Sequence, residues 1–261
     1  MHRKSIGCAS NAGIVFHKPE AMKNQFVLLF MLSTCTLSAQ LIDAEGSYFG
    51  LKGGVTYSGI DAIKTTIIRP VFPEESFSTQ LKNQWGGSAG IFFYMQFENT
   101  FIAIQPEILY SMSGGTFDYN DVNGLHYSMA FNYQYINLVP YFKVYPLSQL
   151  SDAFAGIHIG VGPQLGINIS NNAIRYTSNS EVIGQDLQIQ QNLREVLKGK
   201  PAFSLVLGLG VEFQNFLIEG RYQFGLSDVI ETQANGYNFI ENANRNMAFM
   251  LTLGYAIPFN Q

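Results

Sequence analysis

Residues 203–227 constrain this chain more than any other stretch, because they read as two long strands joined by a very short turn at Asn215. On the first arm Leu205, Leu207, Leu209, Val211 and Phe213 share one face, and Ser204, Gly208, Gly210, Glu212 and Gln214 share the other. On the second arm Ile218, Tyr222, Phe224 and Leu226 oppose Glu219, Arg221, Gln223 and Ser227. Alternation with a period of two marks strands with one apolar and one polar face. What is unusual is that glycine and full charges take so much of the polar face, beside Ser and Gln. A soluble sandwich would turn its apolar face inward and leave glycine-rich strands in water, whereas a membrane barrel puts lipid outside and a crowded polar lumen inside.

The same alternation recurs along the chain and predicts eight strands. They are Tyr48–Ser58, 84–97, Phe101–Ser113, 133–145, Ala153–Ile169, the two arms above, and a closing strand carrying Met247, Phe249, Leu251, Leu253, Tyr255, Ile257 and Phe259 on one face. Their connections alternate long and short. The long ones are 59–83 with Pro70 and Pro73, a Gly/Asp/Asn-rich stretch through Gly114, Gly115, Asp118, Asn120, Asp121 and Gly124, then 170–200 and 228–246. This is the pattern of an all-β, eight-stranded, antiparallel, up-and-down transmembrane barrel, with short turns on the periplasmic side and long loops outside. A dozen residues at ~3.3 Å each, tilted by about 40°, give roughly 30 Å of height, enough to cross. Aromatic residues near strand ends, among them Phe49, Tyr57, Trp85, Phe97, Tyr110 and Tyr255, would form the interfacial girdles. Pro106, Pro140 and Pro163 lie inside proposed strands, where a missing N–H predicts bulges or register shifts. A soluble, lipocalin-like barrel is the structural rival, since alternation does not say which face is inside.

Composition agrees with the membrane reading. Charged residues make up 13% and aromatics 14%, with 25 glycines, so the usual charged coat of a soluble domain is missing. The net charge of -4 gives no reason to expect nucleic acid. Met22-Lys23-Asn24-Gln25, the apolar run 26–37 and Ser38-Ala39 have the three zones of a secretory signal peptide, with cleavage expected after Ala39. Residues 1–21 are polar and patternless and read as a mis-assigned extension before a start at Met22, leaving 40–261 as the barrel domain. Leu32-Ser33-Thr34-Cys35 only loosely matches a lipoprotein box, with Thr34 wrong for its place. Both cysteines, Cys8 and Cys35, precede the expected cleavage site, so thiol chemistry is not expected in the mature chain.

Segments spread over the mature chain resemble the PorT-like outer-membrane β-barrel family of Bacteroidota. They are Phe49-Gly50-Leu51-Lys52-Gly53-Gly54, the run from Gln105 to Ser111, the run from Tyr135 to Lys143, the run from Glu219 to Asp228, and Leu253-Gly254-Tyr255. The resemblance implies an outer-membrane barrel and, for the member that names the family, a part in type IX protein secretion. At its end the chain differs, with Asn260 and Gln261 following the last aromatic, Phe259.

Candidate chemistry is sparse. Lys52, Lys143 and Arg221 against Glu107, Glu212 and Glu219 form an expected lumen charge network, three of each sign, filling a barrel just wide enough for its own side chains. Glu212 and Arg221 flank the Asn215 turn and are expected to meet across the hairpin. The alternative use of such charges is a proton or ion path. A lipid-modifying enzyme would need His beside Ser and a carboxylate, but His126 falls in a loop and His158 points inward without a partner at an interpretable spacing. Gly160-x-Gly162 and Gly208-x-Gly210 lack the helix of a dinucleotide fingerprint and read as glycines making room for larger side chains. Ile189, Leu193, Val196 and Leu197 recur at helical spacing, with Asp186 expected as cap and Gly199 as stop. No catalysis, cofactor, metal site or small-molecule substrate is expected. The expected contacts are outer-membrane lipid around the belt and envelope proteins at the Asn-, Tyr-, Ser- and Gly-rich loops.

Overall fold

Eight long strands wrap into a closed barrel in the computed structural model, which describes residues 47–60, 65–67, 75–77, 80–120, 126–150, 154–179, 181, 184–230, 233–234, 237–238 and 244–258. Residues 1–21, the expected signal peptide at 22–39, Pro70, Pro73 and the closing Phe259, Asn260 and Gln261 lie outside the described residues. The strands are β1 (Tyr48–Ile60), β2 (Gln80–Gln96), β3 (Ile102–Asn120), β4 (His126–Val144), β5 (Ile157–Asn168), β6 (Ala202–Phe213), β7 (Phe216–Asp228) and β8 (Arg245–Pro258). Each pairs antiparallel with its sequence neighbours, and β8 returns to β1 from Tyr48↔Pro258 to Ile60↔Asn246. No barrel strand therefore keeps an open edge along its membrane length, which is the condition for a sheet to sit in lipid.

The register fixes the shape. A path across the ladders from Met95 passes Ile104, Phe142, Val161, Leu207, Tyr222, Phe249 and Tyr57 and re-enters β2 at Trp85, ten residues from where it began. A stagger of that size in a barrel of this strand number corresponds to strands tilted by about 40°. The outside is apolar: Leu51, Val55, Ile91, Ile108, Ile159, Leu209, Ile218, Leu251 and Leu253 are all exposed, and the polar side chains of the same strands are buried inside. Aromatic pairs bracket this belt, with Tyr57 against Trp85 at 4.8 Å towards the long-loop end and Phe216 against Tyr255 at 5.4 Å at the turn end.

The three prolines cause no register shift. Pro106 stands opposite Pro140, and the ladder numbering runs unbroken across both. Instead the β2–β3 ladder skips a step between Phe92↔Glu107 and Met95↔Ile104, and the β4–β5 ladder skips from Leu138↔Leu165 to Phe142↔Val161. Each proline gives up a hydrogen bond it cannot make and keeps its place in the pleat. The real shifts lie elsewhere, between Asn83 and Ser88 and between Phe224 and Asp228.

The expected long loop after Ser113 is mostly strand. β3 and β4 stay paired from Ile102↔Val144 to Asn120↔His126, so a long hairpin projects beyond the barrel. Gly114 and Gly115 are not turn residues. A Cβ on Gly114 would lie 1.7 Å from the carbonyl of Phe131, and the backbone of Gly114 exchanges hydrogen bonds with the Ser58 hydroxyl. Glycine here marks close backbone approach. The remaining boundaries move as well: β2 starts at Gln80 instead of 84, β4 at His126 instead of 133 and β5 at Ile157 instead of Ala153. The 170–200 stretch holds a short strand, Ile174–Ser178, which pairs with β4, and one helix, α1 (Gln185–Val196).

Candidate functional site

Inside the barrel, period two delivers polar side chains from every wall, and their chemistry changes with height. Nearest the turn end, Tyr48 stacks on Tyr94 with centroids 4.4 Å apart, and Tyr145 meets Tyr94 edge-on. Above them lies the ionic layer. Further up come neutral polar groups, where Asn137 Nδ2 donates to Ser111 Oγ and Gln164 Nε2 donates to Asn137 Oδ1. Gln223 Nε2 donates to Ser204 Oγ, and Asn246 Nδ2 to Ser113 Oγ. At the long-loop end Ile60, Phe117, Phe131, Tyr133, Ile174, Leu197, Val229 and Ile230 pack together as one buried, largely apolar cluster. Asn244 ties down this cluster by accepting from the N–H groups of Val229 and Ile230.

The six charges expected in the lumen all point inward, and the structure joins them in one cluster. Glu107 of β3 receives Arg221 of β7 through both terminal nitrogens, at 2.6 Å each, and Lys52 Nζ at 2.7 Å. Glu219 receives Lys52 and Arg221 at 2.7 Å and Lys143 at 3.2 Å. Glu212 receives Lys143 at 2.8 Å together with the hydroxyls of Tyr145 and Tyr48. Lys52, Glu107, Lys143, Glu219 and Arg221 are buried, and the guanidinium of Arg221 lies 3.9 Å over the ring of Tyr141. Three positive and three negative groups at contact distance leave no net formal charge among these six. Such a cluster tolerates burial only while complete, because an ion deprived of its partner keeps its desolvation cost.

Two pairings differ from those expected. Glu212 and Arg221 do not meet: the two-residue turn at Gln214–Asn215 sets Glu212 opposite Leu217 and Arg221 opposite Gly208, four positions along the hairpin. His158 does have carboxylate partners, with Nε2 3.0 Å from Glu219 and Nδ1 3.7 Å from Glu212. Those partners come from β6 and β7, so no spacing near His158 announces them. The expected role for lumen glycines holds at Gly160, Gly208 and Gly210, whereas at Gly162 it is the backbone of Pro140 and Tyr141 that comes close. Tyr141 occupies the space beside Gly160 and Gly208, Phe92 that beside Gly50, and His158 with Glu219 that beside Gly210. Gln105 and Tyr141 share the parity of Glu107 and Lys143 on their strands, a signal that the alternation already carried.

β3 and β7 are opposite walls, four strands apart by either route around the sheet. The bidentate Arg221–Glu107 pair therefore spans the lumen. Among the described residues no group of three or more His, Cys, Asp or Glu is arranged to hold a metal ion.

The model of a protein family described as "Outer membrane protein beta-barrel domain" matches residues 38–231. No curated protein matches the chain. Among solved structures, Neisserial surface protein A is similar over 82% of this chain and 100% of its own, at 10% identity and a TM-score of 0.37. The outer membrane protein AlkL, determined in lipid bilayers, covers 83% of this chain and 92% of its own, at 8% identity and a TM-score of 0.44. OprG from Pseudomonas aeruginosa covers 81% and 96%, at 10% identity and a TM-score of 0.36.

Proposed function

From the premise that this chain belongs to the outer-membrane β-barrel family whose model it matches, we propose that it is a closed, non-conducting barrel that works through its loop end, as a structural or partner-binding protein without catalysis. The observation that carries the reading is the Arg221–Glu107 pair laid across the bore, with the largely apolar cluster above it. A lumen crossed by its own ions, with that cluster packed at its loop end, offers no continuous aqueous path. Among the described residues, the β3–β4 hairpin with Ile174–Ser178 beside it and α1 reach beyond the belt. Surfaces of this kind, carried on a rigid scaffold, are where recognition resides.

A part in a type IX-like secretion apparatus is a second reading, favoured by the PorT-like segments. Those segments contain Lys52, Glu107, Lys143, Glu219 and Arg221. The resemblance is therefore concentrated in residues that fill the barrel, which fits a shared interior better than a shared task. A photo-crosslinking side chain at Leu187, exposed on α1, tests the proposal in intact cells. The expected product is a discrete adduct with an envelope protein, while the same probe at Leu253 on the belt gives lipid adducts. Lipid alone at both positions would remove the partner-binding reading, and a large secretion component at Leu187 would favour the second.

A further inference from the structure

At the turn end the connections are unequal. Glu98-Asn99-Thr100 turns the chain between β2 and β3, and Gln214-Asn215 between β6 and β7, both short and polar. The connection from β4 to β5 is longer, running from 145 to 156, and its sequence from Pro146 to Gly156 holds a single charge, Asp152. Leu150 and Phe154 stand exposed on it, at 77% and 53%, and no large apolar side chain among the described residues is more exposed than Leu150.

Both ends of this connection are fastened to the barrel rim. Tyr145 N–H donates to the carbonyl of Phe101 at the start of β3 at 2.8 Å, and Glu212 N–H near the end of β6 donates to the carbonyl of Gly156 at 2.9 Å. Between them Ser148 donates to the Tyr145 carbonyl through both N–H and Oγ, and Leu150 N–H donates to the carbonyl of Leu147 at 3.1 Å. These are bonds between residues three apart, a 3₁₀-type winding in which such side chains lie over one another. Leu147 and Leu150 therefore share a side that Gln149 does not. The rim around them is the turn-end edge of the apolar belt, where Phe101, Phe213, Phe216 and Tyr255 are all exposed. The strand order sets the β4–β5 connection between Phe101 of β3 and Phe213 of β6, so Leu150 and Phe154 fill the place where this arc would otherwise break.

We propose that the β4–β5 connection is a membrane anchor lying in the phospholipid leaflet at the turn end, with Leu147, Leu150 and Phe154 at the boundary between headgroups and acyl chains. Phospholipid is the occupant because the exposed side chains continue an aromatic girdle that already faces lipid, and because the connection is almost free of charge. A turn held in the leaflet fixes the depth of the barrel and with it the height of the loops at the other end. The inference rests on the reading of the chain as an outer-membrane barrel and adds a lipid-held end to the working loop end.

The full chain has one tryptophan, Trp85 on the belt, so fluorescence can report one position at a time. The parent, W85F/L150W, W85F/F154W and W85F/Q149W are refolded into vesicles of phosphatidylcholine brominated near the head of one acyl chain, and into plain vesicles with iodide on both sides. A gel shift between unheated and boiled samples certifies each barrel, and either L150W or F154W suffices if the other does not assemble. The brominated lipid is expected to quench L150W and F154W about as strongly as the parent's Trp85 and Q149W about threefold less, with iodide giving the reverse order. Iodide quenching of L150W and F154W equal to that of Q149W, without quenching by lipid, overturns the inference and leaves the surface to a protein absent from the vesicles. Equal quenching by lipid at all three positions overturns it too, since the tryptophan and not the turn would then be seeking the membrane. If Trp85 of the parent also escapes the brominated lipid, the belt does not face lipid, and the barrel reading fails together with the inference, a result distinct from the other two.

Discussion

Replacing Arg221 with methionine lowers the unfolding free energy of the barrel by about 3–5 kcal/mol, the cost of breaking a buried ion pair while its partners stay in place. Arg221 is buried and touches Glu107 through two nitrogens and Glu219 through one. Its loss leaves three carboxylates against two ammonium groups in the cluster, with the Glu107 and Glu219 oxygens short of donors. The variant E107Q/R221M removes one charge of each sign and keeps the balance, so it recovers a large part of the loss. Urea titration of the refolded barrel, read by tryptophan emission from Trp85 on the outer belt, measures both. Equal stability of R221M and the parent would mean that the ions contribute nothing to holding the walls together.

Gly208→Ala is the second large effect, and it comes from space. A Cβ at this position would sit 2.2 Å from Tyr141 Oη and 3.0 Å from Arg221 Cγ, against a tyrosine that is fully buried. The ring must move, and it is the ring on which the guanidinium lies. Overpacking of a filled core costs about 1–3 kcal/mol. Tyr141 Oη makes no hydrogen bond to another protein group, so Y141F removes the nearest clash without breaking a protein–protein hydrogen bond. The double variant G208A/Y141F is expected to be more stable than G208A alone, and denaturant midpoints of the four proteins give the coupling. Additive effects would contradict the packing described.

Why some of this was readable in the sequence follows from the geometry of strands. Parity is local, so the inward direction of Lys52, Glu107, Lys143, Glu212, Glu219 and Arg221 could be read strand by strand. Pairing is not local. Arg221 reaches Glu107 from the opposite wall, 114 residues away in sequence, and only the closed sheet brings them together. The same holds for His158, whose carboxylates lie on β6 and β7. Gly114 and Gly115 mislead because glycine serves turns and close backbone contacts alike, and here the backbone decides, the carbonyl of Phe131 beside Gly114 and the N–H of Ile60 beside Gly115. Asp186 has the right type and place for a cap. It serves instead the edge of a strand eight residues earlier, which no helix-capping rule would find. The prolines show the converse: their missing donors were evident, but the sheet gave up ladder bonds and kept its register.

Single-channel recording of the purified barrel in a planar lipid bilayer tests the central claim most directly. A lumen crossed by the Arg221–Glu107 pair, with Leu197, Val229 and Ile230 packed at its loop end, gives no stable unitary conductance steps at any applied voltage that the bilayer withstands. Reproducible steps, altered in size by Glu107→Gln, would show that the ionic layer lines an open path and that the closed-barrel account is wrong.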